Sequence, residues 1–239
     1  MPDPDANIER ILVVTAHPDD VDFGSAGSIA RWTDAGIEVA YCICTSGEAG
    51  GFDASVSRAE MVEIREAEQR AAAKVVGVSD VTFLGYPDGR LETSIALRRD
   101  ISRVIRQVRP QRVLAPSPER NFQRIYASHP DHLAAGEATM AAVYPDARNE
   151  FAHPELLAEG LEPWAVGEMY ITVANVPNVF VDITDTFDRK LDALRCHVSQ
   201  HPDPDGLDAR LRAWNAANAA EGGLPEGRLA ETYLRVETA

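Results

Sequence analysis

The sequence predicts an open, mainly parallel α/β sheet with helices on both faces. Two observations predict it. Short apolar, β-branched runs alternate with segments of helical periodicity, and the runs empty into polar or glycine-rich loops. Strand, helix, strand repetition is the pattern of a parallel sheet covered on both sides. In such a sheet the loops after the strands gather at the carboxyl edge, where open α/β proteins bind ligands.

Ile11 to Thr15 reads as the first strand, ending at once in the polar loop Ala16-His17-Pro18-Asp19-Asp20. A helix is expected beyond Gly24, ending at Gly36, with Ile29, Ala30 and Trp32 among its apolar positions. Glu38 to Thr45 is the second strand, followed by the glycine-rich stretch Ser46 to Gly51. From about Ser57 to Val76, apolar Met61, Ile64, Ala67, Ala71 and Val75 recur near helical spacing, and Gly77 marks the end. Asp80 to Leu84, Ser94 to Val108 and Arg112 to Ala115 repeat the strand, helix, strand unit. Ser117 to Ser128 is a long polar loop, and Pro130 can open the next helix. Glu168 to Ala174 and Asn178 to Thr184 read as strands in a hairpin around Val176-Pro177, followed by a helix from Thr186 to about Ser199. The expectation is one domain over residues 1–239, with a core at about 10–200 and a helical C-terminal extension over 201–239.

Lys and Arg total 23 against 38 Asp and Glu, a net charge of -15, so the summed field repels nucleic-acid backbones and anionic membranes. Cys42, Cys44 and Cys196 form neither a disulfide framework nor a CxxC zinc knuckle, which points to a reducing cytoplasm. Cys42 and Cys44 share one strand face and read as small core residues. Met1 to Arg10 lacks the basic and apolar regions of a secretory signal, and no apolar run approaches the roughly 20 residues of a membrane-spanning helix.

Two clusters share one format: His17-Pro18-Asp19-Asp20 and His129-Pro130-Asp131-His132. Each offers a metal-capable side chain at i and at i+3, in a loop expected at the sheet's carboxyl edge. Catalytic zinc takes three protein ligands from His and carboxylate and keeps one position open, so two His and one Asp drawn from these clusters satisfy it. The nitrogen and oxygen donors suit zinc, and ligand type leaves ferrous iron open. A carboxylate left uncoordinated there can act as general base. Each cluster also has a plainer reading. HPDD is a turn former whose acids can cap a helix, and Ser128 with Asp131 fits a capping box. Arg65 and Glu68, at i and i+3, can be a surface ion pair, and His197 can serve a helix C-terminus. His153 and His201 precede prolines and read as surface residues. Gly24 to Gly27 lacks the dinucleotide-binding spacing, and Asp19, Asp20 and Asp22 would repel a pyrophosphate.

The segment from Ala16 to Gly24 resembles the N-terminal motif of the LmbE-like, or PIG-L, N-deacetylase family, and Ser128 to His132 is similar to its second motif. Further matches are Arg65 with Glu68, Pro87-Asp88-Gly89, and Lys190 through His197 to Gln200, so that the resemblance spans roughly residues 10 to 200 in order. It implies a Rossmann-like, LmbE-like sheet and removal of an acetyl group from an amino sugar or its conjugate. It further implies His17, Asp20 and His132 as ligands of one Zn2+, with Asp19 as general base. His129 would stabilise the oxyanion, and Arg65 and Asp88 would contact substrate hydroxyls. Many relatives carry Glu after the paired aspartates. Here Val21 stands there with an acid at Asp22, a variant similar to the bacillithiol-type branch. The implied partner is a small N-acetylated molecule, with homo-oligomers common among relatives. An amidase for a larger acyl or thiol-conjugate amide, or a binding module pinned by a metal, are the other readings of the same site.

Overall fold

The computed structural model describes residues 5–201 and 205–238. Strand β1 (Arg10–Thr15) leads into α1 (Asp20–Asp34), then β2 (Glu38–Thr45), α2 (Arg58–Val75), β3 (Asp80–Tyr86), α3 (Ile95–Val108) and β4 (Arg112–Pro116). After a long loop come α4 (Pro130–Ala141) and the short α5 (Pro154–Ala158). Then follow β5 (Glu168–Thr172), β6 (Val179–Asp182), α6 (Phe187–Arg195), α7 (Asp205–Glu221) and β7 (Ala230–Glu237). The seven strands form one sheet in the order β3-β2-β1-β4-β5-β7-β6. β1 to β5 are parallel, and β7 runs antiparallel to both β5 and β6. This is the expected open, mainly parallel α/β sheet.

One face packs Ile29, Trp32 and Ala72 from α1 and α2 against Ile11, Val13 and Ile43. The other packs Leu97, Ile101 and Ala138 from α3 and α4 against Leu12, Val14, Cys42 and Cys44. Complete burial of one such aliphatic side chain contributes about 1.5–3 kcal/mol, so the two alternating faces of β1 commit the strand to the centre of the sheet. No helix among the described residues is long and apolar enough to cross a membrane.

The expected hairpin between β5 and β6 does not form, because β7 lies between them. The tail expected to be wholly helical supplies α7 and then this strand. Its alternation is legible afterwards: Ala230, Glu231 and Tyr233 are buried, yet the polar composition around them hid the strand. Helix α1 begins at Asp20 rather than beyond Gly24, since Asp19 turns the chain directly into it. In α2 the buried stripe is Met61, Arg65, Gln69, Ala72 and Ala73, whereas Ile64 is exposed. The apolar spacing pointed to the wrong face, because two buried positions carry polar side chains that serve the site described next.

Candidate metal centre and active site

The order β2-β1-β4 makes the gap between the carboxyl ends of β1 and β4 the point where the strand sequence reverses, the place where α/β sheets open a crevice. The first motif leaves β1 there. The His17 backbone N–H donates to Asp20 Oδ2 at 2.8 Å, closing a tight turn. Asp19 has φ 81° and ψ -27°, a left-handed conformation that Asp adopts more readily than bulkier residues. Three contacts hold it. Its N–H donates to Gln69 Oε1 at 2.8 Å, its carbonyl accepts from the Asp22 and Phe23 amides, and Arg65 Nη2 lies 3.3 Å from its Oδ2. The same guanidinium donates to Pro18 O at 2.7 Å and Gly47 O at 2.8 Å. Gly47 has φ 70°, and a Cβ there would collide with that guanidinium.

The second motif follows β4 through residues 117–129. His129 is the N-cap of α4: its Nδ1 accepts the Asp131 N–H at 3.2 Å, with Pro130 in the first turn. The capping box expected at Ser128 is absent, for Ser128 Oγ instead accepts the Asn121 N–H. Gly136 lets α4 lie against the end of β4, since a Cβ there would collide with Pro116 O. That close approach brings His132 Nε2 to 3.2 Å from His17 Nδ1 and 3.0 Å from Asp20 Oδ1. Ligand atoms of His17, Asp20 and His132 all lie within 4.8 Å of one another. Two imidazoles and a carboxylate are a donor set that suits zinc, and the other nitrogen of His17 is held as metal-bound imidazoles usually are. His17 Nε2 lies 3.0 Å from Asp88 Oδ1 and 3.2 Å from Asp131 Oδ2. A second grouping, His17 with His129 and Asp131, fits less well, because Asp131 already accepts the Gly89 and Leu91 amides.

The electrostatics follow from that crowding. Burial pulls the His17 pKa down, but the carboxylates of Asp131, Asp20 and Asp88 more than offset it and carry it up to about 12. Burial works against the charged form of Asp20, yet His132 and His17 hold its pKa well below the carboxylate range. Burial, aided by the Asp20 charge, pushes Asp19 up to about 7 against the opposing pull of Arg65 and His197. His129 is pushed down by burial and by the neighbouring His17.

Five of the seven expected site residues, His17, Asp19, Asp20, His129 and His132, meet at this edge, the three rings 5.0 to 5.5 Å apart. Arg65 and Asp88 flank them as buried side chains occupied by protein partners. Both Asp88 oxygens are engaged, by His17 and by the Ala49 amide. Arg65 makes no pair with Glu68, which accepts instead from the Ser199 amide and hydroxyl. His153, expected at the surface, packs its ring nitrogen 3.2 Å from Asp146. Asp131, Gln69 and the fully buried pair Asp22 and His197 were not foreseen in this role. Asp131 lies inside the second motif, Asp22 inside the first and His197 within a matched segment, so each carried a signal of place though not of role; Gln69 carried none. A cavity of about 530 Å³ opens beside Asp20 and His132, bordered by Val21, Phe23, Leu207, Leu211 and Trp214.

The family profile described as GlcNAc-PI de-N-acetylase, PIG-L, matches residues 12–143. The chain belongs to the PIG-L family. It is 35% identical over 201 residues to a diacetylchitobiose deacetylase of Thermococcus kodakarensis, covering 84% of this chain and 73% of that protein. It is 32% identical to a probable N-acetyl-alpha-D-glucosaminyl L-malate deacetylase 2 of Bacillus cereus, covering 80% and 83%. Among solved structures, N,N'-diacetylchitobiose deacetylase from Pyrococcus horikoshii superposes with a TM-score of 0.90 at 30% identity, covering 98% of this chain and 86% of that one. GalB, the 4-carboxy-2-hydroxymuconate hydratase from Pseudomonas putida, shares this fold at 22% identity and a TM-score of 0.79, covering 95% and 96%. This PIG-L architecture therefore does not dictate one reaction, and the site has to carry the assignment.

Proposed function

We propose that this PIG-L protein is a zinc-dependent hydrolase that removes the N-acetyl group from an amino sugar or amino-sugar conjugate. The observation that carries the reading is the meeting of His17, Asp20 and His132 from two loops far apart in the chain, with Asp19, held in a left-handed backbone conformation, beside them. The deacetylase names of its relatives support it. Zinc held by those three side chains supplies Lewis acidity to the amide carbonyl and to a water.

Asp19 takes a proton from that water as its oxygen attacks the carbonyl carbon. Arg65, 3.3 Å away, favours the ionised carboxylate that the step needs and fixes its direction. His129 accepts the Asp131 amide at Nδ1, so the neutral ring carries its proton on Nε2 and can donate it to the developing oxyanion. The C–N bond then breaks, and the proton held by Asp19 passes to the departing amine, with His129 assisting. Because both terminal nitrogens of Arg65 and both oxygens of Asp88 face protein partners, the two residues act in this scheme by orienting Asp19 and His17 rather than by touching substrate hydroxyls. Amine release from a panel of N-acetylated sugars is the test, with metal content measured on the same samples. Zinc bound one per chain without amine release from any acetamide would instead favour a binding module.

The apolar border of the cavity beside Asp20 and His132 favours a second reading, hydrolysis of a larger acyl amide. An acyl-length series on one amino sugar separates the two: a deacetylase loses kcat/KM as the chain grows, and the larger-acyl enzyme gains it.

A further inference from the structure

Behind Asp19 lies a chain of three buried polar side chains that the reaction scheme leaves without a task. Gln69 Oε1 accepts the Asp19 N–H at 2.8 Å, and Gln69 Nε2 donates to Asp22 Oδ2 at 2.9 Å. His197 Nε2 lies 2.8 Å from the same oxygen. All three residues have zero exposure. A carboxylate only accepts hydrogen bonds, so Asp22 dictates which end of the Gln69 amide faces it, and the Gln69 oxygen is thereby turned toward Asp19. The geometry is tied to a backbone that Asp19 holds in the left-handed region, a conformation that persists only where neighbours over-determine it. The arrangement is also poor for stability: Asp22 Oδ1 and His197 Nδ1 are buried with no hydrogen-bond partner among the described residues. Apolar side chains would pack α2 and α6 against α1 without that penalty.

We infer that Gln69, Asp22 and His197 form a positioning relay that sets the backbone of Asp19 and so aims its carboxylate. None of the three is a catalytic residue; they act through Asp19, and the inference rests on Asp19 being the general base. The relay reaches from the segment after α6 to the turn after β1, so it gives His197 a function that a helix-terminus role does not.

The test uses the full-length, zinc-loaded protein and compares Gln69→Met, which keeps the volume of the side chain, with Asp19→Asn and with the double variant. Gln69→Met should lower kcat by roughly 10- to 100-fold, as small misplacements of catalytic groups do, with KM and zinc content unchanged. Hydrogen exchange at the Asp19 amide should quicken in parallel. In the Asp19→Asn background the further loss should be under about twofold, because the relay then has nothing to aim. A Gln69→Met protein with wild-type kcat overturns the relay, as does the same proportional loss in both backgrounds. Full activity in Asp19→Asn is a different failure, that of the general-base assignment itself. Should Gln69→Met not fold, Asp22→Asn removes the charge that orients Gln69 at the same volume. There kcat should fall by about fivefold or more at constant KM, and an unchanged kcat rejects the relay.

Discussion

Two buried clusters of charge are arranged along α1, one at its N-terminal turn and one along its body, and they are built to different ends. Along the body, Lys190 Nζ donates to Glu231 Oε1 and to Phe23 O, while the two Glu231 oxygens also accept the Gly27 and Ser28 amides and Tyr233 OH accompanies them. Every charge there is answered inside the protein, and the ion pair ties β7 and α6 to α1. At the N-terminal turn, three carboxylates crowd His17, Asp19 sits in a left-handed conformation, and Asp22 and His197 each leave one polar atom without a partner among the described residues. A cluster that only holds the fold satisfies itself; one that does chemistry keeps donors and acceptors available for something else.

That contrast breaks most readily at Asp19. Asp19→Asn should lower kcat by about 10²- to 10⁴-fold, the usual worth of a positioned base, with zinc content and melting temperature preserved. Steady-state kinetics and calorimetry on the same preparation decide it. Lys190→Met should do the reverse. Leaving Glu231 buried and unpaired costs about 3–5 kcal/mol, or a melting temperature lower by roughly 6–20 °C in a chain of this size, while kcat of the folded fraction stays near wild type.

A smaller effect is expected at Asp88. Asp88→Asn should weaken zinc affinity by about 10- to 100-fold through loss of the charge behind His17, measured by competition with a chelator. The affinity should also depend on pH. The carboxylates hold the His17 pKa, before any metal binds, up to about 12, so at neutral pH zinc must displace a proton from it. Each unit of falling pH should therefore weaken binding by about tenfold per proton released, and affinity that is flat between about pH 6 and 8 would contradict the charged His17. The smallest effect belongs to the surface. Arg103 pairs with Asp100 and Glu159 in partly exposed positions, and Arg103→Gln should cost about 1 kcal/mol or less by chemical denaturation.

Much of the site was legible because its residues are local in sequence. His17 to Asp20 and His129 to His132 each present their donors within a single turn, and the alternation of strand and helix implied that both turns sit at one edge. Gln69 was not legible, because a polar residue on a helix is read as solvent-facing unless something shows the stripe to be buried. Asp22 and His197 were hidden for another reason: they are far apart in the chain, and no periodicity reports a pairing that the packing of α1 against α6 creates.

The sequence by itself determined the parallel β1 to β4 unit, the two motif loops and the acidic, cysteine-poor character of the chain. Each of these depends on residue type and on spacings of a few residues. Only the tertiary structure decided that β7 separates β5 from β6, that α2 buries Arg65 and Gln69, and that Asp88 and Asp131 stand behind His17. Such arrangements depend on which distant surfaces fit together. That fit is a property of the whole packed chain, since a strand is indifferent to its neighbour until burial and hydrogen bonding select one.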